Sequence, residues 1–124
     1  MAVIETDGGR AMIDAPLRYE VIVASLQQAL GANLDKVLLY GSRARGVAMA
    51  DSDVDLLIVV QTRTRGADDA VRRVVYEVMW ANDFQTLISA LVIDEVSYYQ
   101  MLAKGSSFAR NLRNDQVVLW TRAA

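Results

Sequence analysis

Two stretches decide how this chain is read: Gly41-Ser42-Arg43-Ala44-Arg45-Gly46, and Asp51-Ser52-Asp53-Val54-Asp55-Leu56-Leu57-Ile58-Val59-Val60. The second begins as alternating Asp-Val-Asp and ends as an uninterrupted apolar run, which predicts a strand over 53–60, polar on one face at its start and buried on both by its end. Asp53 and Asp55 stand at i and i+2 and so project from one face, with backbones about 6.5–7 Å apart. Carboxylates so placed can converge on one cation or bridge two. Before the first stretch, Lys36-Val37-Leu38-Leu39-Tyr40 predicts another short buried strand, ended by Gly41-Ser42. Ser42-Arg43-Ala44-Arg45 has the look of a first helical turn, where free N–H groups, a hydroxyl and the close approach allowed by Gly41 would seat a phosphate. Each half alone reads as an ordinary turn or solvated strand end. The combination, with ten residues between Ser42 and Asp53, puts both halves at one cleft.

Composition narrows the chemistry. The 124 residues are 53% hydrophobic with one Pro, which argues for one packed core rather than disorder. There is no Cys and no His, so thiolate nucleophiles, disulfides, imidazole bases and Cys or His zinc sites are excluded. What is left is carboxylates, Lys, Arg, Tyr, Ser and a carboxylate-held hard cation such as Mg²⁺. A net charge of −2 disfavours nucleic acid as a partner. The N-terminus lacks a basic start followed by an apolar core, and no apolar run is long enough to span a bilayer, so a cytoplasmic protein without a membrane partner is expected.

Outward from the motif, Met1–Ile13 is expected as a flexible leader and 14–124 as a single domain. Asp14 and Pro16 predict the start of a helix that runs from Ala15 to Leu30 and stops at Gly31. Gln61–Asp69, with Gly66, is expected as a loop. From Ala70 to Met79 the apolar residues recur at i, i+1, i+4 and i+5, an amphipathic helix that packing must stabilise because it is rich in Val. Phe84–Ile93 predicts a third strand, Asp94–Ala103 a helix, Ser106 or Ser107 the cap of a short helix carrying Phe108 and Leu112, and Val117–Trp120 a last strand. The fold class is α+β, a small mixed sheet packed against helices in two layers.

Gly41-Ser42, ten residues, then Asp53-Val54-Asp55 resembles the signature of the DNA polymerase beta-like nucleotidyltransferase superfamily, and within it the minimal nucleotidyltransferases (MNT). The likeness extends over Leu17–Trp120, while G-x-x-x-x-G-K-[ST] and G-x-G-x-x-G are both missing. The resemblance implies a nucleotidyltransferase fold, ATP or another NTP as substrate, and Mg²⁺ as cofactor. It also implies catalytic and metal-binding roles for Asp53 and Asp55, and triphosphate contacts for Gly41 and Ser42. Arg45 is the better placed of the two motif arginines to add a phosphate contact. The implied reaction moves a nucleoside monophosphate to a hydroxyl, with pyrophosphate leaving. Active relatives commonly carry a third carboxylate on the following strand; here the matching position falls near Ser89, and Asp94 and Glu95 lie too far along.

Small stand-alone proteins of this look pair with a HEPN-type toxin, so the expected role is an antitoxin that attaches AMP to a hydroxyl of that partner. The chain cannot be the HEPN ribonuclease itself, which needs a His. The competing expectation is a weakened nucleotidyltransferase-fold protein that neutralises its partner by binding only. A small-molecule transferase, which usually needs a second domain, ranks third. Homo-oligomerisation, nucleotide preference and acceptor stay open. Arg63, Arg65, Asp51 and Lys104 read as loop, turn or helix-end residues, and Tyr40, Trp80 and Trp120 as core or interface anchors.

Overall fold

The computed structural model describes residues 18–41, 44 and 53–123. In chain order the elements are helix α1 (Tyr19–Leu30), a 3₁₀ turn (Gly31–Asn33), strands β1 (Leu34–Tyr40) and β2 (Val54–Val60), helix α2 (Arg65–Ala81), strand β3 (Ile88–Asp94), helices α3 (Glu95–Lys104) and α4 (Ser107–Asp115), and strand β4 (Val117–Thr121). The strands form one mixed sheet in the order β3-β2-β1-β4. β1 runs antiparallel to β2 and to β4, whereas β2 and β3 are parallel and joined through α2. The expected α+β class and order of elements are what the structure has. The leader, the Asp14–Pro16 helix start, Ser42, Arg43, Arg45 and Asp51 lie outside the described residues.

Alternation along β2 divides the core in two. Val54, Leu56, Ile58 and Val60 pack with Val37 and Leu39 under α1 and α2, against Ile22, Leu26, Val71, Val74 and Val75. Leu57 and Val59 point the other way, with Leu38, onto Tyr98 of α3 and Leu112 of α4. Every β2 residue except Asp55 is buried. At roughly 1.5–3 kcal/mol for each fully buried large aliphatic side chain, this strand contributes more than its length suggests.

Two expectations about boundaries need correction. Gly66 does not mark a loop: α2 starts five residues earlier than Ala70, because Thr64 caps it, its Oγ accepting the Ala67 N–H at 3.0 Å. Nor does the third strand begin at Phe84. The carbonyls at the end of α2 capture the next amides, Asp83 N–H donating to Trp80 O at 3.0 Å and Phe84 N–H to Met79 O at 2.8 Å. These bonds wind Asp83 and Phe84 into left-handed conformation, φ 53° and 55°, and delay β3 to Ile88. Elsewhere the punctuation is as expected: Gly31 ends α1, Asp94 caps α3 by accepting from Ser97 N–H at 2.7 Å, and Ser106 caps α4. Among the described residues no helix is long and apolar enough to cross a membrane.

Candidate functional site

The site is built where β1 ends and β2 begins. Antiparallel pairing sets Tyr40 beside Asp55, so the residue after Tyr40, Gly41, turns directly over the Asp55 carboxylate. Gly41 has φ +77°, and a Cβ added there would stand 2.5 Å from Asp55 Oδ2. The positive φ favours glycine, and any Cβ would push the Asp55 carboxylate aside. A turn opens at once, with Ala44 N–H donating to Gly41 O at 3.1 Å. The two halves of the motif therefore do meet, through Gly41 and Asp55.

Asp53, exposed, immediately precedes β2, and Asp55 is its partly buried second residue. By alternation both share the face of Leu57 and Val59. Burial first, and then the neighbouring Asp53 charge, hold the Asp55 carboxyl above its ordinary value. Across the strands, Tyr40, Asp55 and Ser89 form one row. Tyr40 is itself half-buried, its ring edge-on to Phe108 at 5.4 Å, and burial together with the Asp55 charge raises its phenol above the usual range.

The parallel register pairs Asp55 with Ser89 and Val60 with Asp94. Ser89 thus occupies the position flanking Asp55, as the sequence comparison along the strand suggested, and Asp94 is about 16 Å further on at the other end of β3. Asp94 is committed there to the start of α3, and its hydrogen bond from Ser97 holds its carboxyl below the ordinary value. No group of three potential acidic ligands occurs among the described residues. Arg63 is also remote from the pair: it follows the far end of β2 and bonds Asp68, Nε to Oδ1 3.2 Å. Lys104 closes α3 ahead of Gly105, and Trp120 is partly buried, but Trp80 is 65% exposed and is no part of the core.

Two hard oxygen donors on one face, beside a glycine with no side chain, fit a divalent cation that keeps sites for water and phosphate oxygens, as Mg²⁺ does. The resemblance placed Ser89 beside the acidic pair, as the register has it, but nothing in the residue order placed Tyr40 there. Tyr40 gave an aromatic signal that also suits a core, and its pairing with Asp55 depends on a strand register that no local pattern encodes.

A model of the nucleotidyltransferase domain matches residues 20–114. No curated relative matches the chain by sequence. Among solved structures, a toxin–antitoxin complex with AMP-PNP is similar at a TM-score of 0.55 and 17% identity, over 85% of this chain and 75% of that one. A mutant of the MntA–HpeT toxin–antitoxin gives a TM-score of 0.56 at 15% identity, over 86% and 75%. At such identities the likeness is one of fold.

Proposed function

Since the chain belongs to the nucleotidyltransferase domain family, we propose that it transfers AMP from ATP to a hydroxyl of a partner protein, as the antitoxin to a HEPN-type toxin. The observation that carries this reading is the seating of Gly41 against Asp55, with Asp53 two residues away on the same face. Asp53 and Asp55 would hold Mg²⁺, and Gly41, Ser42 and Arg45 would meet the triphosphate. When bound, the metal supplies charge neutralisation on the transferring phosphoryl group and alignment of the attacking and leaving oxygens. The chain's own share is positional. Asp55 is braced by its strand pairing to Tyr40 and Ser89, and Gly41 removes the side chain that would block approach to it. The toxin–antitoxin structures of similar fold, one of them with AMP-PNP, support the choice of nucleotide and of a protein acceptor.

A second reading, neutralisation by binding alone, is favoured by one observation: a neutral serine flanks Asp55 where a third carboxylate would complete the metal shell. The two are separated by incubating the chain with labelled ATP, Mg²⁺ and the protein encoded by the adjacent reading frame. Label appearing on the partner, and lost in Asp53→Asn/Asp55→Asn while the fold persists, is the expected result. Label that survives the double substitution removes these residues from the chemistry; a stable complex without label supports binding alone.

A further inference from the structure

The two edges of the sheet are not alike. β4 is the shorter, five residues, and the register between it and β1 shifts between Val37 and Leu38, an irregularity of the kind that blunts an edge. β3 is seven residues long and follows β2 without a break, from the Val54–Ile88 pair to the Val60–Asp94 pair. No Lys, Arg or Pro occurs from Gln85 to Ile93, so the strand lacks the residues that guard an edge against pairing.

Leu87 O accepts the Val54 N–H at 2.8 Å, which fixes the sense of the peptide groups that follow. In a parallel pair the N–H and C=O of one residue point to the same side. The backbone groups of Leu87, Ser89 and Leu91 therefore turn toward β2, and those of Ile88, Ala90 and Val92 turn outward. The Ile88 N–H is taken by Met79 Sδ at 3.3 Å. Among the described residues nothing bonds the outward groups of Ala90 and Val92, and Leu91 between them is 48% exposed.

Beside this edge is a groove of about 300 Å³ against α2. Buried Val71 and Val75 and half-buried Ala90 and Val92 line it, together with Asp68 and Arg72. An apolar groove along unpaired peptide groups is shaped for another strand. The charges beside it balance, Arg63 pairing with Asp68 and Arg72 with Asp69. That balance gives neither an acidic nor a basic partner an advantage, but it suits a surface that meets its own image. The acids of α2 stand one turn before Arg72, so a copy running the other way sets Asp68 and Asp69 of each chain toward Arg72 of the other. Exposed ion pairs are weak enough to be exchanged in this way.

We propose that β3 is the interface of a two-fold homodimer, in which the β3 strands of two copies pair antiparallel about Leu91. This register gives Ala90 of each copy Val92 of the other as its hydrogen-bonded mate, and sets Leu91 against Leu91 at the axis, where side chains approach most closely. A register centred on Ala90 would call on the Ile88 N–H that Met79 already holds, and one centred on Val92 would set Ala90 against Asp94, which caps α3. The dimer has one continuous sheet with both acidic pairs on the same face, because a two-fold normal to the sheet keeps its faces together. The row of Tyr40, Asp55 and Ser89 then runs on to Ile93 of the second copy.

The mass of the full chain in solution, followed by sedimentation equilibrium over a dilution series, tests this. A mass of two chains that falls to one on dilution is expected. Leu91→Lys, which puts like charges face to face at the axis, should weaken the dimer about tenfold or more. Val92→Pro, which removes an outward N–H that the single chain does not use, should also weaken it. Arg72→Asp and Asp69→Arg should each weaken it about threefold, yet an equimolar mixture of these two variants should recover pairing, each supplying the charge the other lacks. Both positions are exposed, so the mixture gives a result even where Val92→Pro does not fold. A chain that stays single at every concentration overturns the dimer. A dimer indifferent to Leu91→Lys uses another surface and overturns it too, as does one that the mixture fails to restore. Assembly that grows past two chains overturns the two-fold closure.

Discussion

Asp55 is held in a place that disfavours its own charge. A carboxyl raised by burial and by a like neighbour binds its proton more tightly in the folded than in the unfolded chain. The stabilisation linked to that proton is complete below the ordinary carboxylate range and is lost as pH rises through the raised value. At neutral pH, without metal, ionised Asp55 therefore detracts from stability. Asp55→Asn should raise it by on the order of 0.5 kcal/mol, a small figure because the side chain keeps some water. Melting curves from about pH 3 to about pH 7 should show the gain growing toward neutrality. Gly41→Ala should act the other way, since both φ +77° and the Asp55 oxygen oppose a methyl group. A cost of about 1–3 kcal/mol, with a matching loss of Mg²⁺-dependent nucleotide binding, would be read by denaturant unfolding and calorimetry.

At the scale of elements, the end of α2 shows where propensity gives way to hydrogen bonding. Phe84-Gln85-Thr86-Leu87 has the composition of a strand, yet the helix behind it is closed by bonds from Asp83 and Phe84 amides that no strand can make. Asp83→Gly should relax the first left-handed residue and stabilise the protein by about 0.5 kcal/mol, the steric relief being partly offset by glycine's larger unfolded-state freedom; thermal denaturation will show it. The same contest explains what was and was not legible in the residue order. Leu56–Val60, Val71–Val75 and the caps Asp94 and Ser106 announced themselves by period and by polar side chains at the turn. Thr64 was hidden by Gly66, which a helix tolerates near its start. Ser89 beside Asp55 was legible only through the family resemblance, because the register that pairs them relates residues more than thirty apart in the chain, whereas Tyr40 beside Asp55 was not legible at all.

Across the whole molecule, Arg122 ties the C-terminal strand, already paired with β1, to the start of that strand. Arg122 donates from its backbone N–H to Asp35 O at 2.9 Å and from its guanidinium to Leu34 O at 2.6 Å and Ala32 O, and its Nε lies 3.7 Å from the carboxylate of buried Asp35. These contacts fasten β4 to the start of β1, opposite the end that carries Asp55. Arg122→Ala should cost about 2 kcal/mol, much of it from leaving Asp35, among the described residues, with only Lys36, 3.6 Å away, as its counter-charge. Adding Asp35→Ala should recover part of that loss; chemical denaturation of the single and double variants measures both.

The flanking of β2 on both edges has a last consequence. Its amides are sealed between β1 and β3 and its side chains between two layers of helices, so they can trade hydrogen for deuterium only when the entire fold opens. The acidic pair is mounted at the mouth of the slowest-exchanging segment, whereas the aromatic turn hangs from its periphery. Gentle warming should therefore loosen the turn that carries Phe84 well before it disturbs the carboxylates, a difference that amide exchange followed over a temperature series would read.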